Sequence, residues 1–157
     1  MPELAEVEFA SKVWNPGLGE VVNKIEAKGS SRVYRDLDPA KVKRHLVGVS
    51  LESSETHGKK MLFRFSSHRW LGLHLGMTGS LRVEAGDYAK AKHDALVFRQ
   101  FERSLVFRDP RQFGRVLFHR GKKNPAWWSD LPPEVTSDAF TFELVSSILK
   151  RRAQQRQ

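Results

Sequence analysis

Residues 61–75 read Met-Leu-Phe-Arg-Phe-Ser-Ser-His-Arg-Trp-Leu-Gly-Leu-His-Leu, and this stretch decides the fold class. Two short apolar runs, 61–65 and 70–75, flank a polar turn, which is the pattern of two strands joined by a hairpin. Similar runs rich in Val, Leu and Phe occupy residues 21–27, 47–53, 81–84, 95–101, 105–108 and 116–119. Eight candidate strands with few helices between them predict an α+β, mainly β fold: a two-sheet antiparallel β-sandwich or flattened barrel.

Helices are predicted at both ends of the chain and once between strands. Residues 3–14 place apolar side chains on one stripe, and Asn15-Pro16-Gly17 is a stop signal; the stripe contains Leu4, Val7, Ala10, Val13 and Trp14. Residues 39–46 predict a short helix, because Pro39 suits a first turn. Ser137 predicts the N-cap of a final helix over 137–152, with an apolar face formed by Phe140, Leu144, Val145, Ile148 and Leu149.

The composition limits the class of protein. The 27 Lys and Arg outnumber the 18 Asp and Glu, and a net charge of +9 with a pI of about 10.1 indicates a polyanionic partner. Four Trp, ten Phe and 39% hydrophobic residues are enough to fill a core. There is no Cys, which excludes disulfides and thiolate zinc sites within this sequence. No apolar run approaches the roughly 20 residues that span a bilayer, so we expect no membrane partner.

The first residues carry a candidate nucleophile. Removal of Met1 would leave Pro2 as a secondary amine at the start of a helix, where the helix dipole favours the neutral, reactive form. Glu3 beside it is a candidate general acid or base, and Glu6, one turn on, is a candidate to bond the helix-start amides or orient the amine. The ordinary alternative is a Pro in a first helical turn, followed by acids that suit the helix dipole.

Five segments resemble one protein family, in that family's order. Residues 1–8, Met-Pro-Glu-Leu-Ala-Glu-Val-Glu, resemble the opening Pro-Glu-Leu-Pro-Glu-Val-Glu of the formamidopyrimidine-DNA glycosylase and endonuclease VIII family. The other matches are Gly-Lys-Lys-Met-Leu (58–62), His-Leu-Gly-Met-Thr-Gly-Ser-Leu-Arg (74–82), Lys-His-Asp (92–94) and Asp-Pro-Arg-Gln-Phe-Gly (109–114). Arg111 and Phe113 together favour the formamidopyrimidine type. Ala5 replaces the family's second Pro, a change that favours the helix.

The resemblance implies a base-excision repair DNA glycosylase that removes oxidised bases and has AP lyase activity, by β and δ elimination. Pro2 matches the nucleophile that forms a Schiff base with the sugar, and Glu3 matches the carboxyl group that assists base loss and ring opening. Lys59, rather than the adjacent Lys60, matches the family's essential Lys. We therefore expect Pro2, Glu3 and Lys59 around one cleft, with Glu6 in support.

The resemblance also implies a set of DNA contacts. Met77 matches the residue that fills the gap left by an everted base, while Arg111 faces the orphaned base and Phe113 wedges the stack. The remaining candidates for DNA binding are His74, Arg82 and His93, of which His74 and Arg82 are expected phosphate contacts. The expected partner is double-stranded DNA that contains oxidised bases or abasic sites.

The resemblance sets the domain division as well. Residues 1–130 are expected to form the catalytic β-sandwich domain, and 131–157 a connector and the first helix of a truncated helix-two-turn-helix domain. We expect no metal and no cofactor in this chain; a zinc finger, if the protein has one, is expected beyond Gln157. The full-length protein is expected to be monomeric and cytoplasmic, associated with the bacterial nucleoid, or otherwise intracellular. The chain alone is expected to be weakly active or inactive.

Two alternatives stay open. A non-catalytic module of the same fold would bind damaged DNA through the same residues without breaking bonds. A small-molecule tautomerase would use Pro2 as a general base, but the short βαβ chains of such enzymes match neither eight strands nor a charge of +9.

Overall fold

Eight strands form two four-stranded antiparallel sheets in the computed structural model, which describes residues 3–131. Sheet 1 has the order β1-β6-β7-β5, and its strands are Lys24–Ala27, Asp94–Arg99, Arg103–Arg108 and Ser80–Ala85. Sheet 2 has the order β2-β3-β4-β8, and its strands are Leu51–His57, Lys60–Phe65, Arg69–His74 and Arg115–Arg120. The predicted mainly β, antiparallel fold is confirmed.

Three short α-helices, α1 (Leu4–Ser11), α2 (Pro39–Leu46) and α3 (Ala126–Ser129), and two 3₁₀ turns accompany the sheets. The limits of α2 agree with those predicted, and Asp38 caps it by accepting a hydrogen bond from the Ala40 amide. The predicted first helix over 3–14 is too long. It ends at Ser11, after which amide-to-carbonyl bonds three residues apart tighten the chain into the turn Asn15–Gly17.

Two of the predicted strands begin later in the chain than expected. The strand predicted at 21–27 begins only at Lys24, and the strand predicted at 47–53 is β2, which runs from Leu51 to His57. The second half of β2 is polar, with no apolar side chain after Leu51, so its sequence carries no alternating signal. Its pairing with the strongly apolar β3 holds it in the sheet.

The core lies between the sheets and is mostly aromatic. Trp14 is fully buried, with its ring 4.7 Å from that of Phe63 and 5.6 Å from that of Phe98. Its indole nitrogen donates to the Arg82 carbonyl of β5 at 3.2 Å, which joins the segment after α1 to sheet 1. The predicted stripe on the first helix is only partly buried: Val7 and Trp14 are buried, but Leu4 is exposed.

The chain divides into two compact units, residues 1–125 and 126–157. The first contains both sheets, and only 126–131 of the second are described. The predicted helix over 137–152, with its apolar face, lies outside the described residues.

The antiparallel register gives the sandwich two distinct ends. The site end contains the β2–β3 turn Gly58-Lys59, the loop 75–79 after β4 and the loop 109–114 before β8. The far end contains the β3–β4 turn at 66–68 and Arg120, the last residue of β8. Most of the candidate DNA-contacting side chains are at the site end.

Candidate functional site

The two loops of the site end are joined by one buried carboxylate. The Thr78 hydroxyl donates to Asp109 Oδ1 at 2.7 Å, and the Gly114 amide donates to Asp109 Oδ2 at 2.7 Å. The Arg111 amide donates in turn to Thr78 Oγ1 at 3.2 Å. Asp109 is only 2% exposed, so water competes little for these bonds. The loops 75–79 and 109–114 therefore form one joined surface.

Close backbone contact fixes the same two loops. Gly76 has a φ of 62°, and a Cβ built there would lie 2.6 Å from the Gly114 nitrogen. Only glycine fits this position, for conformational and for steric reasons. Gln112 has a φ of 61°, and its side-chain oxygen accepts a hydrogen bond from the Arg32 amide at 2.9 Å. A residue other than glycine rarely adopts a positive φ, so we infer that the hydrogen-bonded surroundings of Gln112 impose this conformation.

Three side chains with the chemistry to enter a base stack project from these loops. Met77 is 49% exposed and Phe113 is 43% exposed, although most large apolar side chains in the described part of the chain are buried. The Arg111 guanidinium lies 5.2 Å from the centre of the Phe113 ring, a cation–π distance. The structure thus brings Met77, Arg111 and Phe113 together at the site end of the sandwich, on two neighbouring loops that hydrogen bonds hold in place.

A row of basic residues borders the loops. His74, at the end of β4, is in register with Lys60 on one side and Arg115 on the other. Arg115 is paired with Asp36 at 2.9 Å. Arg35 donates to the carbonyl of Gly114 at 2.8 Å, which attaches a further cation to the second loop. The site end is therefore positively charged.

His74 is held neutral in this row. Burial lowers the pKa of His74, and the nearby positive charges lower it further: Lys60, Arg115, Lys59 and Arg35. Its Nδ1 accepts a hydrogen bond from the Gly76 amide at 3.0 Å. Neutral His74 therefore carries its proton on Nε2, where it is available to an acceptor such as a phosphate oxygen.

Lys59 and Lys60 differ in position. Lys59 is half-buried in the two-residue turn between β2 and β3, after Gly58 with a φ of 61°. This is where type II′ hairpin turns favour glycine. Lys60 is the first residue of β3 and is exposed. The two side chains are therefore separated by turn geometry rather than by strand alternation.

Glu3 and Glu6 lie at the start of α1, which packs beside β2. The segment after α1 bridges β2 at Leu18 and Leu51, and Glu8 and Ser11 border a groove along residues 52–56. Glu3 and Glu6 are both exposed, and among the described residues no donor is found hydrogen-bonded to either carboxylate. Pro2 lies outside the described residues, so the expected grouping of Pro2, Glu3 and Lys59 stays a prediction.

Arg82 and His93 lie beside the joined loops. Arg82 follows the first loop on β5, and its guanidinium is paired with Glu84 at 3.2 Å. His93 is exposed, and its carbonyl accepts a hydrogen bond from the Asp109 amide at 3.0 Å. A phosphate contact by Arg82 would have to compete with Glu84.

Sequence reasoning missed the residues that hold the site together. Thr78 and Asp109 were inside the matched segments but had been given no role, and Arg35 was in no motif. Within residues 3–131, no group of three or more His, Asp or Glu side chains is placed to hold a metal ion. No helix in that range is long and apolar enough to cross a membrane.

Comparisons with known proteins identify the family of this chain. The family described as formamidopyrimidine-DNA glycosylase N-terminal domain matches residues 1–116. A formamidopyrimidine-DNA glycosylase from Laribacter hongkongensis is 37% identical over 143 residues, which is 89% of this chain and 52% of that protein. A formamidopyrimidine-DNA glycosylase from Xanthomonas euvesicatoria is 33% identical over 97% of this chain and 56% of its own length.

Solved structures of the Lactococcus lactis formamidopyrimidine-DNA glycosylase have the same fold. One, bound non-covalently to DNA with an AP site, superposes with a TM-score of 0.83 at 25% identity over 96% of this chain and 58% of that one. Another, in complex with DNA containing an oxidised pyrimidine, gives a TM-score of 0.69 at 28% identity over 76% and 44%. The chain spans a little over half the length of the curated relatives it matches. By its matched residues and its fold, this chain belongs to the formamidopyrimidine-DNA glycosylase family and corresponds to the N-terminal domain of that family.

Proposed function

We propose that this chain is the catalytic part of a base-excision repair glycosylase that removes oxidised bases from double-stranded DNA and then cleaves the abasic site. The observation that carries the proposal is the joined pair of loops, which presents Met77, Arg111 and Phe113 together beside a basic row. DNA is a polyanion, and a flipped nucleotide leaves a gap that such side chains fill. The proposed place of action is the cell interior, where DNA is found.

The proposed reaction begins at Pro2, once Met1 has been removed. The Pro2 nitrogen attacks C1′ of the damaged nucleotide, the bond from C1′ to the base breaks, and the base leaves with a proton. The sugar ring opens to give an iminium between Pro2 and C1′. Loss of a proton from C2′ then allows the 3′-phosphate to leave by β elimination, and δ elimination releases the 5′-phosphate. Water finally hydrolyses the iminium and frees Pro2.

Three further residues have proposed roles in this reaction. Glu3, next to the nucleophile, transfers protons during base loss and ring opening. Lys59 provides a positive charge to the lesion or its phosphate, where water is partly excluded. Glu6, in the first turn of α1, orients the Pro2 amine. Support comes from the packing of α1 against β2 and β3, the two strands that the Lys59 hairpin joins.

DNA contacts are proposed for the same end of the sandwich. Neutral His74 offers its Nε2 proton to a phosphate oxygen, and Arg82 and His93 extend the phosphate contact along the DNA strand. Met77 occupies the gap left by the everted base, Arg111 bonds the orphaned base and Phe113 stacks on its neighbour. The relatives of known structure were solved with DNA carrying an AP site or an oxidised pyrimidine, which supports these substrates for the present chain.

Covalent trapping tests the proposal. The chain, with Met1 shown to be absent by mass spectrometry, is incubated with abasic-site duplex and sodium borohydride, which reduces an iminium to a stable amine. We expect a protein–DNA adduct whose rate of formation falls about tenfold or more in Lys59→Gln and Glu3→Gln. Lys90→Gln and Glu8→Gln remove the same charges from exposed positions outside the proposed site and are expected to leave the rate unchanged.

A non-catalytic module of the same fold gives the opposite result. It would bind the abasic duplex without any adduct, even over incubations on the order of a thousandfold longer than those that trap the full-length Laribacter hongkongensis relative, which is the positive control. That outcome would overturn the proposed chemistry and leave DNA binding as the function.

A further inference from the structure

A second concentration of positive charge lies at the far end of the sandwich. Arg69 of β4 and Arg120 of β8 are directly paired in the antiparallel register. The next pairs on the same face of these strands belong to the core or pack against it; they are Leu71–Phe118 and Leu73–Val116. Arg69 and Arg120 therefore emerge side by side from the inner, core-facing side of sheet 2. Like charges directly opposite one another on paired strands are destabilising.

Helix α2 brings more basic residues to the same place. Lys41, Arg44 and His45 are spaced three and four residues apart, so they lie on one side of the helix. The His45 ring stacks on Phe118, with centroids 5.4 Å apart and planes 10° from parallel. Burial lowers the pKa of His45, and the charges that lower it further are Arg44, Arg120, Arg69 and Lys41. Basic side chains from both helix and sheet therefore lie close enough to the His45 ring to influence its charge.

The cluster has no negative partner within residues 3–131. None of the ion pairs found there involves Lys41, Arg44, Arg69 or Arg120. The Nε of Arg69 is buried and has no hydrogen-bond partner in that part of the chain. The hydrogen bond that Arg69 Nη1 donates to the Ser67 carbonyl is long, at 3.5 Å. Buried donors are normally satisfied, so an unsatisfied one beside unpaired cations indicates an absent acceptor.

Stabilisation of the helix explains only part of this arrangement. Cations in the last turn of α2 interact favourably with the helix dipole, which accounts for Arg44. It does not account for Arg69 and Arg120, which face each other on the sheet.

We propose that the far-end cluster, consisting of Lys41, Arg44, His45, Arg69 and Arg120, binds a phosphate group. A phosphate has the charge to offset several cations and enough acceptor oxygens for the Arg69 Nε and for guanidinium groups on two strands. The cluster is separate from the site end, because the length of β4 between Arg69 and His74 is about 17 Å. The phosphate belongs either to a polynucleotide backbone or to a small free phosphate.

The unpartnered Arg69 Nε gives a direct readout. Inorganic phosphate is titrated into the ¹⁵N-labelled chain while the Nε–Hε resonance of Arg69 is followed by NMR, against sodium chloride at equal ionic strength. We expect a saturable shift with phosphate and none with chloride. Arg120→Gln should weaken the phosphate affinity about tenfold or more, and Arg120→Lys, which keeps the charge but loses the planar fork, should have a smaller effect.

Arg103→Gln is the matched control. Arg103 is also a strand-terminal arginine, but it is paired with Glu102 and lies outside the cluster. Its substitution should leave phosphate binding unchanged, and unaltered backbone spectra of each variant establish that it folds. The inference is wrong if phosphate moves the Arg69 signal no more than chloride does, or if Arg103→Gln weakens binding as much as Arg120→Gln.

A second titration identifies the source of the phosphate. An unmodified DNA duplex that moves the Arg69 signal at lower concentration than inorganic phosphate assigns the site to a polynucleotide backbone. A response to inorganic phosphate alone assigns it to a free phosphate. Either result supports the site, and neither depends on base excision, so the proposed function can fail while this inference stands.

Discussion

The Thr78 hydroxyl donates a 2.7 Å hydrogen bond to the Asp109 carboxylate, and this bond joins two loops that are separated in the chain by three strands of sheet 1, β5, β6 and β7. The other carboxylate oxygen accepts from the Gly114 amide. Asp109 therefore fixes the second loop internally and attaches it to the first. The relative positions of Met77 and Phe113 depend on this carboxylate.

Removing the Thr78 hydroxyl should weaken DNA binding without a loss of fold. Thr78→Val keeps the shape but leaves one Asp109 oxygen and the Arg111 amide without their partner, at a cost of about 1–3 kcal/mol. We expect lower affinity for abasic duplex, measured by fluorescence anisotropy, and rescue by Thr78→Ser, which restores the hydroxyl. Equal affinity for Thr78→Val and the parent chain would show that the joined loops are not needed.

Phe113 and Phe101 form a matched pair of exposed aromatic residues. Phe113 is 43% exposed on the second loop, and Phe101 is 86% exposed in the β6–β7 hairpin. Because stacking on bases contributes about 1–3 kcal/mol per base, Phe113→Ala should weaken binding to abasic duplex roughly tenfold. Phe101→Ala should have no effect in the same anisotropy assay. Equal losses in both variants would assign the effect to general surface hydrophobicity.

His74 should make stability depend on pH in a defined direction. Its folded-state pKa lies below the ordinary 6.5, so the unfolded chain takes up the proton first as pH falls. The contribution of His74 is complete above pH 6.5 and is lost as the pH decreases towards the folded pKa. Urea unfolding between pH 8 and 5 should therefore show a smaller decline in His74→Gln than in the parent chain.

His68→Asn is the control for that series, since His68 is exposed and Asn tolerates its φ of 59°. It should keep the parent's pH dependence. An ¹H NMR titration of His74 that gave a pKa above 6.5 would contradict the account of the basic row.

Binding and excision should separate in this chain. Its excess of Lys and Arg should give affinity for unmodified duplex that falls steeply with added salt. Excision needs the nucleotide held within reacting distance, and a displacement of about 1 Å costs on the order of a hundredfold in rate. We expect 8-oxoguanine excision at least about a hundredfold slower than by the full-length Laribacter hongkongensis relative. Comparable turnover would show that the residues of this chain suffice.

The sequence predicted the parts of the fold that have an internal signal. Strands β3, β4 and β7 were found because apolar residues dominate each of them, and α2 because Pro39 and its apolar spacing mark it. The polar half of β2 was missed because only its pairing with β3 makes it a strand. The stripe on the first helix did not reveal which of its members are covered: Val7 and Trp14 are buried, and Leu4 is exposed.

In the candidate site, too, contacts between distant segments were not visible in the local sequence. Met77, Arg111 and Phe113 were selected from matched segments, and the structure brings their loops together. The bond from Thr78 to Asp109 was not predictable, because it joins residues 31 positions apart through the packing of two sheets. The basic row was not predictable either, because strand register, and not sequence spacing, places Arg115 beside His74.

The position of the covalent bond tests the central claim most directly. The chain lacking Met1 is trapped on abasic DNA with borohydride and digested, and mass spectrometry then locates the modified residue. The account predicts attachment at the Pro2 nitrogen, with no adduct when Met1 is retained, because an amide nitrogen cannot form an iminium. Attachment at Lys59 or another lysine, or an undiminished adduct with Met1 in place, would contradict it.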